Sequence, residues 1–234
     1  MSKFIVQGRP DGIGNRIEQL ISIESYCEKN NKRCVYIWNN THYRNYPIYI
    51  QFKHIDIQLM LERKDAHLPT LQYNTIYTNN NIYNALNHRF PFNIETEAYD
   101  TAIHIRGGDR LQLTPLSGDY STKQELDMCI EKTIAYVNQN EEIKKCILLC
   151  ENKAYIETIK KYIKKDIYTP PINTRYGDWA DFYYMTKASK NIIMCCKFSS
   201  FSICASILSN TNLITFFDPH ESSLYRYNAK VVKV

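Results

Sequence analysis

The stretch Thr101-Ala102-Ile103-His104-Ile105-Arg106-Gly107-Gly108-Asp109 decides how the chain is to be read. Its first half is a short buried strand, and the paired glycines break it. Alternate side chains of a strand share a face, so His104 and Arg106 point the same way at the carboxyl end, where α/β sheets hold ligands. The pattern then repeats. A helix is expected within residues 123 to 138, a strand at 146 to 150, a helix at 153 to 163, a short strand at 166 to 168 and a helix at 178 to 189. Residues 191 to 194 form another strand, a serine loop and a helix to Leu208 follow, and a strand over 213 to 217 ends the series. Strands alternating with helices imply a parallel sheet covered on both faces.

The same order opens the chain. Phe4 to Gln7 is a short apolar run, followed by Gly8, Pro10, Gly12 and Gly14, and then by Ile13, Ile17, Leu20, Ile23 or Glu24, and Cys27 at helical spacing. Lys32 and Arg33 precede a second apolar run from Cys34 to Trp38, so these residues read as one β-α-β unit with a parallel strand pair. Residues 39 to 98 are rich in Asn and Tyr, with Asn79-Asn80-Asn81 as a low-complexity patch, and are expected to be irregular with short helices and strands. The composition changes near residue 98. The expected fold is therefore α/β with two small Rossmann-like domains, 1–98 and 99–234, and a ligand cleft between them.

Composition narrows the classes. The 234 residues are 44% hydrophobic, 23% charged and 13% aromatic, which excludes a disordered or fibrous chain. A net charge of +5 suits an anionic small molecule but falls short of a nucleic-acid-binding signature. The first 14 residues lack the apolar run of a signal peptide, and the apolar stretch from 191 to 208 is broken by Lys197 and serines, so no membrane span and a cytoplasmic location are expected. Cys27, Cys34, Cys146, Cys150, Cys195, Cys196 and Cys204 sit among apolar neighbours without C-x-x-C spacing and read as small buried hydrophobes in a reducing compartment.

Three constellations carry chemistry. Gly12-Ile13-Gly14-Asn15-Arg16 lies between a strand and a helix, either as a tight turn or as a loop whose backbone approaches an anion. His104 and Arg106 either serve a phosphate, Arg106 with two parallel hydrogen bonds, or are a satisfied core histidine and an arginine paired with Asp109. In Lys197-Phe198-Ser199-Ser200-Phe201-Ser202, Ser199 or Ser200 caps the following helix, and the same hydroxyls and free N–H groups also suit a phosphate. Asp178 and Asp181 head the preceding helix, where carboxylates are favoured and where one could accept hydrogen bonds from a purine.

In their order and context these motifs resemble the fucosyltransferase superfamily of the GT-B fold, which includes the α-1,2, α-1,6 and protein O-fucosyltransferases. Gly12-Ile13-Gly14-Asn15 matches its G-x-G-N stretch. His104, Arg106, Gly108 and Asp109 match H-x-R-R-G-D, with Gly107 where the second Arg usually stands, as in the O-fucosyltransferase pattern. Asp181-Phe182, Asn191-Ile192-Ile193 and Ser199-Ser200-Phe201-Ser202 match the aspartate-led helix, the apolar strand and the S-S-F-S stretch. The resemblance implies a GDP-fucose donor and a glycan acceptor, without a further cofactor. It puts Arg106 on the β-phosphate, Ser199, Ser200 and Phe201 near the phosphates or sugar, Asp181 near guanine, and Asn15 on the fucose and phosphate; Gly12, Gly14, Arg16, His104 and Ser202 complete the donor set. Arg106, Asp109 and Asn15 are the expected catalytic residues.

No D-x-D triplet occurs, so metal-independent transfer is expected. The acceptor hydroxyl would attack with inversion, helped by the departing phosphate or by a base among Asp109, Asp119 and Glu18. Acceptor specificity is expected in residues 39 to 98, whose Tyr and Asn suit sugar rings. A transferase for another nucleotide sugar and an inactive GDP-sugar or glycan-binding homologue are the alternatives. A dehydrogenase is disfavoured by the absence of G-x-G-x-x-G with a following acidic residue.

Overall fold

Apolar residues at helical spacing from Ile13 to Cys27 make α1 (Ile13–Asn30), and the αL conformation of Asn31 ends it. The computed structural model describes residues 3–8, 12–38, 48–59, 88–106, 121–218 and 229–234. The chain divides into two compact units, Met1–Ile94 and Glu95–Val234.

In the first unit β1 (Lys3–Gln7) and β2 (Arg33–Trp38) flank α1 in sequence and pair in parallel. Beyond β3 (Gln51–Phe52) comes β4 (Ile55–Leu59), which pairs in parallel with β2 to give the order β1-β2-β4. β4 is one of the short strands expected within residues 39 to 98, and Ile55, Ile57 and Leu59 alternate as a strand's apolar residues do. A small antiparallel pair joins β3 to β5 (His88–Arg89). Buried Glu24 of α1 accepts hydrogen bonds from the His54 backbone N–H and pairs with its Nδ1 at 2.9 Å, fastening the β3–β4 turn to the helix.

The second unit holds β6 (Thr101–Ile105), α2 (Lys123–Gln139), β7 (Lys145–Cys150), α3 (Lys153–Tyr162), β8 (Asp166–Tyr168), α4 (Asp178–Thr186), β9 (Asn191–Met194), α5 (Ser200–Ser209), β10 (Asn212–Thr215) and β11 (Lys230–Lys233). The six strands form one sheet, order β11-β10-β9-β6-β7-β8, with every neighbouring pair parallel. Ile103 and Ile105 face a core made with Leu126, Cys129 and Ile130 of α2 and Ile159 of α3. Alternation turns Ala102 and His104 to the opposite face, toward α4 and α5.

Two elements end well short of the expected bounds, and one strand was not expected. α4 stops at Thr186, because the N–H groups of Lys187 and Ala188 turn back to carbonyls three residues earlier. β10 ends at Thr215, whose hydroxyl accepts the Phe217 N–H and bends the chain. β11 went unforeseen, being a four-residue edge strand with lysine at each end. All eight cysteines are free; Cys129 joins the buried ones, while Cys150 is only half-buried, contrary to its reading as a core residue. Among the described residues no helix is long and apolar enough to cross a membrane.

Candidate functional site

Strand order marks a candidate site in the second unit. From β6 the chain winds outward to β7 and β8, then returns to lay β9, β10 and β11 on the other side of β6. The reversal falls between β6 and β9, and the carboxyl ends of two such strands are where an open parallel sheet leaves a crevice for a ligand. Arg106 follows β6, and Lys197-Phe198-Ser199 follows β9 and leads into α5. The two strands stay paired to their ends, since Cys195 N–H donates to the His104 carbonyl at 2.9 Å.

Ser199 is the N-cap of α5, its Oγ accepting the Ser202 N–H at 3.4 Å. Ser200 and Ser202 are buried and Phe201 is half-buried. His104 Nδ1 lies 2.7 Å from Ser202 Oγ, and its ring lies 5.6 Å from that of Phe201, which in turn packs at 5.1 Å on Phe182 of α4. Burial, reinforced by the Arg106 guanidinium, pushes the His104 pKa down to about 3. The imidazole is therefore neutral at physiological pH, and it binds α5 to β6 as a hydrogen-bonding group rather than as a cation. Arg106 is half-buried and supplies the positive charge at the end of β6.

Gly177, at φ +51°, takes a conformation suited to glycine and leads into α4. Asp178 and Asp181 stand in its first turn. Burial, together with the carboxylates of Asp178 and Glu151, raises the Asp181 pKa to about 6. A half-buried carboxyl with its pKa raised this far donates and accepts hydrogen bonds below about pH 6 and only accepts them above it. The structure thus brings His104, Phe201 and Ser202 together, with Phe182 beside them and Asp181 next in sequence.

In the first unit Gly12 is the N-cap of α1, and Gly14, Asn15 and Arg16 lie in its first turn. Arg16 is fully buried, its guanidinium 4.7 Å from the centre of the Trp38 ring. Glu18 is buried one turn further on. Gly107, Gly108, Asp109 and Asp119 lie outside the described residues.

The fold is similar to that of a solved fucosyltransferase. The crystal structure of NodZ from Bradyrhizobium superposes with a TM-score of 0.50 at 13% identity, over 88% of this chain and 93% of that one. At this identity the likeness is one of fold. No protein-family model matches the chain, and no curated protein matches it. Two residues without a local signal hold the loop after β9: Ser121 accepts the Lys197 N–H at 2.8 Å, and Glu125 meets the Lys197 ammonium at 3.5 Å. The separation of the partners by over 70 positions hides them from any local pattern.

Proposed function

We propose that the chain is a metal-independent glycosyltransferase that moves fucose from GDP-fucose to a carbohydrate hydroxyl. The observation that supports this most is the reversal of strand order between the paired strands β6 and β9, with Arg106 following the one and the Ser199-capped start of α5 following the other. Breaking the sugar–phosphate bond leaves a diphosphate whose growing charge needs fixed donors, and a guanidinium together with a helix N-terminus is suited to supply them without reorganisation. The acceptor oxygen forms its bond to the anomeric carbon on the face opposite the leaving group and inverts it. The hydroxyl proton passes to the departing phosphate or to a carboxylate, with Asp109, Asp119 and Glu18 as the candidates, and GDP leaves. Asp181 is assigned to the guanine edge. The acceptor is assigned to the first unit, where Tyr49, Phe90 and Phe92 form a half-buried ring cluster with centroids 5.6 to 5.7 Å apart.

Calorimetry with GDP and UDP, in EDTA and in magnesium, tests the donor. GDP should bind equally in both buffers and more tightly than UDP; binding that disappears in EDTA overturns the proposal. Arg106→Lys should lower kcat for transfer from GDP-fucose by an amount worth roughly 2 to 4 kcal/mol, because a single donor at a developing oxyanion acts most strongly in the transition state. Unchanged turnover would remove Arg106 from the site. GDP-fucose binding without turnover on any glycan would instead mark a binding protein.

A further inference from the structure

Lys197 opens the loop that carries Ser199 to the start of α5, and it is tied on three sides. Its N–H donates to Ser121 Oγ at 2.8 Å, its ammonium lies 3.5 Å from Glu125 Oε1, and the same ammonium sits 5.8 Å from the centre of the Phe217 ring. The side chains of Lys197 and Glu125 are only 18% and 29% exposed, so the pair is shielded from the solvent that weakens surface ion pairs. Glu125 has a second task. Its Oε2 accepts the Thr122 N–H at 2.7 Å while Thr122 Oγ1 accepts the Glu125 N–H, the reciprocal capping box at the start of α2. One carboxylate therefore caps α2 with one oxygen and holds the β9–α5 loop with the other. Behind this, Thr133 Oγ1 lies 3.0 Å from Cys195 Sγ and fixes the loop's root to the same helix.

We propose that Lys197 and Glu125 are positioning residues for the diphosphate site: the α2 capping box sets the placement of the β9–α5 loop, and hence of the Ser199 cap and the α5 N–H groups. The ammonium is engaged by Glu125 and works through the loop, not as a phosphate ligand. The inference rests on the glycosyl-transfer reading for its substrate, but the latch itself is measurable without one.

Glu125→Gln separates the two tasks of Glu125, because glutamine also completes a capping box while losing the charge. Amide hydrogen exchange over residues 198–203, read without ligand, should quicken roughly fivefold in Glu125→Gln and in Lys197→Met. GDP affinity and kcat with GDP-fucose should each fall by roughly the same factor, and the melting temperature should stay close to that of the unaltered protein. Lys197→Arg should restore both affinity and turnover. The double variant should be no worse than Lys197→Met alone, since both changes cut one link. Unchanged exchange in the two single variants overturns the latch, as do additive losses in the double variant. Tighter GDP binding in Glu125→Gln overturns the positioning role, because it would show a released ammonium acting directly on phosphate. An unaltered protein that binds no GDP, yet loses loop protection in Glu125→Gln, keeps the latch and sinks the glycosyl-transfer reading alone.

Discussion

Asp181 stands in the first turn of α4, where the helix dipole favours a carboxylate, yet burial and the charges of Asp178 and Glu151 raise its pKa from 3.8 to about 6. The direction fixes the sign of its linkage. Between those values the folded chain holds the proton more firmly than the unfolded chain does, so this contribution to stability is complete below about pH 4 and is lost as pH rises through 6. Asp181→Asn has no proton to lose. It should be more stable than the unaltered protein at pH 7.5, by about 1 to 2 kcal/mol, and no more stable at pH 4. Melting curves across that range check this, and a gain that is the same at both ends would contradict it. His104 acts in the opposite sense: with its pKa depressed from 6.5 to about 3, its contribution is present above 6.5 and lost as pH falls toward 3. The sequence leaves two readings of His104 open, and the structure gives its Nδ1 a partner in Ser202 Oγ at 2.7 Å, on the face it shares with Arg106, which fits both.

The glycine loop between β1 and α1 shows how far an element's function can be separated from its folding. A Cβ on Gly8 would lie 2.5 Å from the Ile37 carbonyl oxygen and 2.8 Å from the Tyr36 ring, and the same carbonyl accepts the Gly8 N–H at 2.8 Å. Backbone cannot move aside as a flexible side chain can. Gly12 differs, since a Cβ there meets nothing within 4 Å among the described residues and its φ of −64° suits any residue. Gly8→Ala should therefore destabilise the fold by about 1 to 3 kcal/mol, a cost typical of overpacking, in urea unfolding. Gly12→Ala should shift stability by less than about 1 kcal/mol and yet weaken GDP binding if the loop lies against the donor. Unaltered GDP affinity in Gly12→Ala would leave this loop as a turn only. The elements that the sequence revealed are those with buried apolar runs, such as β6, β7 and β9. β4 and β11 have a weaker signal, because only one of their residues is buried and exposed polar residues interrupt the apolar run. The Lys197–Glu125 pair was illegible for another reason, being made by tertiary packing across 72 positions.

At the scale of the whole molecule each unit carries its own reporter. The two tryptophans of the chain are Trp38, buried at the end of β2 in the first unit, and Trp179, buried in the first turn of α4 in the second. Parallel sheets with separate cores can melt separately, and a ligand stabilises only the folded state that binds it. Two variants isolate the signals, Trp38→Phe leaving Trp179 and Trp179→Phe leaving Trp38. With GDP at about a hundred times its dissociation constant, the linkage is worth about 2.7 kcal/mol, or a rise of roughly 5 to 10 °C for a domain of this size. The Trp179 transition should rise by that amount in EDTA as well as in magnesium, because the assigned charge partners, Arg106 and the start of α5, belong to the second unit. The Trp38 transition should rise less. A larger rise at Trp38 would move the main diphosphate contacts to the glycine loop of the first unit, and no rise at Trp179 under either condition would remove the donor from the crevice at β6 and β9.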